Sequence, residues 1–165
     1  MASRVLLFIK YAVVFVGIFA AYFFYFNWHD ARPASEIVLL TCVGINGLLA
    51  FFSHTVLHKS DAERLGMETA NPGFQYEVGF ANLAFGATAI VAFLGHWGVI
   101  ANTVLILGFS LYILQAVILH LFRFISGEKR GAGYFGGSIL ASGLYAANMI
   151  FFAIAAMQQE HLAPF

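Results

Sequence analysis

Charge is what this sequence has least of. Only 10% of its 165 residues are Asp, Glu, Lys or Arg, against about 25% in an ordinary soluble domain. The eight basic and eight acidic side chains cancel, so no net field draws in polyanions, and nucleic acid is excluded as a partner. Cysteine is nearly absent. Cys42 alone cannot close an intramolecular disulfide, and no CxxC or Cys/His cluster marks a structural zinc. Proline occurs only 3 times, and no low-complexity or linker segment interrupts the chain. These absences exclude a soluble globule, a disordered chain and a disulfide scaffold.

What remains is 61% hydrophobic, with 19 phenylalanines. Five stretches reach the roughly 20 residues needed to cross a hydrocarbon layer: 5–26, 36–58, 73–95, 98–124 and 134–157. The fold class that follows is all-α, a single-domain integral membrane bundle of five transmembrane helices. The first stretch is longer than the apolar core of a signal peptide, carries Lys10 and lacks a small-x-small cleavage site, so it reads as a retained helix.

Basic residues set the expected orientation. Arg4, Lys10, Lys59, Arg64, Arg123, Lys129 and Arg130 lie at the amino end and in the second and fourth connections, whereas the other side holds only Arg32. This bias puts the amino terminus in the cytoplasm and the carboxyl terminus outside. Trp28 and Trp97 both fall at the outer boundary, where amphipathic rings anchor. The third connection is barely a turn, Gly95-His96-Trp97-Gly98, and makes its flanking helices antiparallel neighbours. Ser60 followed by Glu63 reads as a capping box for a short interfacial helix over 61–68. Asn71-Pro72 supplies a cap and a first-turn proline for the third span.

The third span carries two small or polar stripes. Gln75, Gly79, Asn82, Gly86 and Ala89 share one face, and Glu77, Ala81, Ala84 and Thr88 lie nearly opposite. Small residues let helices approach closely where the hydrophobic effect is absent, so this span is expected to be the hub of the bundle.

The orientation gathers scattered polar residues into a layer. Lys10, His54, Glu77 and His120 all fall roughly 6–10 Å inside one boundary, with His58 and Arg123 near them. Glu77 is the only carboxylate well inside a predicted span. An unpaired charge in hydrocarbon costs about 2.5 kcal/mol or more, so Glu77 must be paired, protonated or facing water. Three readings follow. Glu77 forms a structural ion pair with Lys10 or Arg123, or it titrates in a small proton or solute transporter gated by His54 or His120. In the third, His54 and His120 are axial ligands of a haem, or His54, His58, Glu77 and His120 hold a metal ion. Asn46, Gln75, Asn82, Gln115 and Asn148 are read as helix-packing amides, with Tyr112 and Tyr145 as candidate partners. His29, His96 and His161 read as outer-surface residues.

The stretch around Glu77 resembles an uncharacterised family of small bacterial inner-membrane proteins with a core near P-F-Q-x-E-x-G-x-A-N-L. The matching residues are Pro72, Phe74, Gln75, Glu77, Gly79, Ala81, Asn82 and Leu83, with Gly73 inserted. His54 and His120 match histidines ending the preceding and following helices. Downstream, "SGEKRGAGYFGGS" departs from the family's Asn-rich segment. The resemblance covers about residues 40–125 and implies a bacterial inner-membrane location, with no activity attached. Without catalytic motifs, soluble domain or internal repeat, the leading expectation is a non-enzymatic accessory or structural subunit. Its partners would be membrane lipids and other membrane-protein subunits, or further copies of itself.

Overall fold

The computed structural model describes residues 2–65 and 71–162. Helix α1 is Ala2–Trp28, α2 is Ala31–His54, α3 is His58–Leu65, α4 is Gly73–Leu94 and α5 is Val99–Ile125. The last helix, α6, runs through three consecutive stretches, Ala132–Tyr134, Phe135–Ala141 and Ser142–Leu162. Among the described residues there is no strand. Five helices, all except α3, are long and apolar enough to span a membrane. The exterior suits such a setting: Phe8, Phe15, Phe19, Phe23 and Phe26 all stand exposed along α1.

Local chemistry fixes the ends. Helix α2 starts at Ala31 rather than 36 because Asp30 Oδ1 accepts the Arg32 amide at 2.9 Å. Pro33 then sits in the first turn, where its missing N–H has no helical acceptor to lose. Pro72, expected in the first turn, is instead the residue that precedes α4, and Asn71 Oδ1 accepts the Gly73 amide across it at 2.9 Å. The turn from α4 to α5 uses left-handed backbone at His96, φ 49°, and Gly98, φ 90°. Helix α3 begins at His58, earlier than expected. Ser60 lies within it, and its hydroxyl meets Ser3 of α1 at 2.6 Å. Residues 66–68 of the predicted short helix lie outside the described residues.

The hub is α2, not the third span. Helix α2 touches α1, α4, α5 and α6, while α4 packs chiefly on α2 and α5 on α6. In the most apolar window, 50% of α2 is buried against 28% of α4. Only the first predicted stripe of α4 faces inward. Gly79, Asn82, Gly86 and Ala89 are buried, whereas Glu77 and Ala84 on the opposite face are exposed. At this crossing a Cβ on Gly86 would stand 2.9 Å from Gly44 O and from Leu48 N. Two backbones meet there because neither helix carries a side chain between them.

Helices α2 and α6 each contain a π-helical segment, Leu39–Ile45 and Phe135–Ala141. The Asn46 amide donates to Thr41 O, five residues back, and to Val43 O, rather than to Cys42 O as a regular α-helix requires. The apolar core occupies the end of the bundle where α1 finishes. Ala21, Leu39, Val43, Ala89, Phe109 and Phe152 close it completely.

Candidate functional site

At the opposite end the helices part. A cleft of about 710 Å³ opens between α1, α2, α5 and α6, within the range of small-molecule sites. Consecutive long helices run in alternating directions, so the first residues of α1 and α6 share the mouth with the last residues of α2 and α5. Arg4, Lys10, His54, His120 and Tyr134 line it there. Leu7 lies between Arg4 and Lys10; further in, the wall is Val14, Ile113, Gly137 and Ala141, and Asn46 and Tyr145 line the inner end. From Arg4 to Val14 the cleft follows α1 for about 15 Å, at about 1.5 Å per residue. Among the described residues no carboxylate lines it.

The imidazole of His54 is set by a residue the sequence did not single out. Asp61 of α3 is fully buried. Its Oδ1 accepts the Ser53 hydroxyl at 3.0 Å, and its Oδ2 lies 3.0 Å from His54 Nδ1. This is an ionic approach without hydrogen-bond geometry; it sets the carboxylate against one ring nitrogen and leaves Nε2 without a protein partner among the described residues. The Ser3–Ser60 contact secures α3 to α1 from the other side. Across the cleft, His120 Nδ1 lies 2.7 Å from the Tyr134 hydroxyl, with the rings edge to face at 5.5 Å. Both imidazoles are thus held through Nδ1.

The predicted cluster divides. Lys10, His54 and His120 line the cleft; His58, Glu77 and Arg123 do not. His58 Nδ1 meets Thr55 O at 2.9 Å and its ring faces Tyr76. Arg123 Nε lies 3.1 Å from Glu128 Oε2, so the expected pair with Glu77 is not formed. Glu77 is exposed on the outward side of α4. Equal depth along five helices did not say which faces converge, and α4 lies on the far side of α2 from the cleft. Nor do His54, His58, Glu77 and His120 assemble as one ligand set: no group of three or more His, Cys, Asp or Glu side chains converges among the described residues. Asp61 escaped notice because "HKSDAERL" has the composition of a solvated surface helix.

Tyrosines answer three of the amides. Asn46 Nδ2 donates to Tyr145 OH at 2.8 Å, and that hydroxyl donates to Cys42 O in the π segment of α2. Asn82 Nδ2 donates to Tyr112 OH at 3.0 Å, and Tyr22 OH donates to Asn148 Oδ1 at 2.7 Å. Gln115 is exposed, and Gln75 makes no interhelical hydrogen bond among the described residues.

Fold and site together define an all-helical bundle with five helices able to span a membrane and a basic cleft at one end. The chain belongs to DUF6790, a family of unknown function, which matches residues 8–163. No curated protein and no solved structure gives a significant match.

Proposed function

We propose that this is a ligand-binding membrane protein of the bacterial inner membrane, with its amino terminus in the cytoplasm, and that the cleft is its site for an anion. The observation that carries this reading is the charge of the wall: Arg4, Lys10, His54 and His120 converge from three helices, and among the described residues the nearest carboxylate, Asp61, stands behind His54 rather than in the wall. In a low-dielectric setting such a mouth favours a negative ligand, and arginine pairs with oxyanions through parallel N–H bonds. The excess of basic residues at this end supports a mouth that opens to the cytoplasmic side. Titration of the purified protein with butanoate or inorganic phosphate should raise its unfolding temperature, and butylammonium should not. Equal stabilisation by the amine would remove the reading. Arg4→Gln should weaken anion binding roughly tenfold, the value of one charge-assisted hydrogen bond.

A second reading, an accessory subunit of a membrane assembly, draws on the outward face of α4, where Phe80 and Ala84 are exposed beside Glu77. Mild solubilisation followed by native mass spectrometry tests it; a monomer without a co-purifying protein would end it. The haem reading rests on the two Nδ1-anchored histidines that line one cleft. A visible absorption spectrum of the purified protein decides it.

A further inference from the structure

The mouth of the cleft is basic, but its interior is not. Leu7 stands between the two α1 cations, and beyond them the wall is Val14, Ile113 and Ala141, with the hydroxyls of Tyr11, Ser138 and Ser142 among them. A small hydrated anion would use the mouth and leave this apolar slot without a partner. Asn46 and Tyr145 line its inner end, where their side chains bond to each other and Tyr145 OH bonds to Cys42 O. Charge at the mouth, apolar wall beyond it and polar groups at the inner end together describe the chemistry of one kind of molecule.

We propose that the cleft takes a single-chain anionic amphiphile, its oxyanion head among Arg4, Lys10, His54 and His120 and its hydrocarbon along Val14, Ile113 and Ala141. The inference rests on the anion-binding reading above and adds the tail. His54 is the head's most constrained partner. Asp61 and Ser53 hold its Nδ1 side, so Nε2 is the ring atom left to meet an oxygen. The oxyanion is a carboxylate or a phosphate monoester; the donors at the mouth suit both. The polar inner end sets a limit on chain length, because longer hydrocarbon meets bonded polar groups in place of apolar wall.

Gly137 offers a way to shorten the slot. It lines the cleft on α6, and a Cβ there would meet only Tyr11 OH, at 3.9 Å, so a larger side chain extends into the space without striking backbone. Gly143, one and a half turns on, has nothing within 4 Å of its Cβ position and does not line the cleft.

The test is equilibrium dialysis of the full chain in an uncharged maltoside detergent, corrected with protein-free micelles. The probes are straight-chain carboxylates from acetate to dodecanoate, decyl phosphate, decanol and decylammonium. Affinity is expected to rise by up to about fourfold per methylene, then to level off at a fixed length. Gly137→Leu should move that plateau to shorter chains and weaken dodecanoate about tenfold, while Gly143→Ala leaves the series unchanged. Decanoate against decyl phosphate identifies the head, either preference being compatible with the proposal. A flat series in which acetate binds as well as decanoate overturns the amphiphile and leaves the anion site standing. Decanol or decylammonium binding as tightly as decanoate overturns the head assignment. Binding by no anion, phosphate included, removes both the tail and the anion site.

Discussion

Removing the Asp61 carboxylate should cost more than its place on a short connecting helix suggests, because it is fully buried and joins α3 to the last turn of α2. Asp61→Ala leaves Ser53 and His54 unanswered and is expected to lower stability by about 3 kcal/mol, whereas Ser53→Ala removes one bond and costs about 1 kcal/mol. Thermal unfolding in detergent measures both; equal effects would mean that the carboxylate does not organise the mouth. Asp30, outside the spans, gives a pH-dependent counterpart. Its hydrogen bond with the Arg32 side chain holds its carboxyl below the ordinary value of 3.8. The folded state therefore binds the proton less readily than the unfolded one. The stabilisation is complete above the unfolded value and disappears as pH falls through the lower folded one. Asp30→Ala should cost about 1 kcal/mol at neutral pH as a lost helix cap, with the difference from wild type shrinking only in strong acid.

Helix packing makes the sharpest distinction between positions of the same residue type. Gly86 and Gly143 are both helical glycines, yet a Cβ on the first meets backbone at 2.9 Å and on the second meets nothing. Gly86→Leu must push α2 and α4 apart and is expected to cost more than about 2 kcal/mol. Gly143→Ala should be neutral or stabilise by about 0.5–1 kcal/mol through reduced freedom of the unfolded chain. A chemical-denaturant series on the two variants reads the difference directly. The element scale also shows what sequence could and could not convey. Five spans were legible because uninterrupted apolar length is a one-dimensional signal. The inward stripe of α4 was legible too, from its small-residue spacing. The hub was not, since α4 and α2 both carry glycines, and which neighbours cover a helix depends on contacts the linear pattern does not hold.

For the molecule as a whole, the cleft and the core occupy opposite ends, and this polarity ties the site to orientation. A fusion of alkaline phosphatase to the carboxyl terminus should be active in a bacterial host and one to the fourth connection, residues 126–131, inactive. The reverse pattern would put the cleft mouth on the outer side and contradict the expected topology. Of the residues that depth along the helices brings to one layer, Lys10, His54 and His120 line the mouth. Depth also proposed Glu77 where the structure supplies Asp61, because a carboxylate in an apolar span stands out while one in a polar connection does not. Burial of Asp61 comes from α3 folding under α1 and α2, a three-dimensional event with no periodicity to announce it.

Both walls that carry a π segment border the cleft. Asn46 follows one directly, and Gly137, Ser138 and Ala141 belong to the other. Each wide turn is equivalent to one residue inserted into an α-helix, which makes it a phase shifter: everything beyond it is rotated by about 100° relative to an unbroken helix. Deleting one residue inside Phe135–Ala141 would restore the α-helical period and turn Tyr134 away from His120, while the core half of α6 keeps its register. Such a deletion, tolerated for folding yet blind to the cleft's ligand, would show that the angular setting of these two walls is written in the lengths of their helices as much as in their side chains.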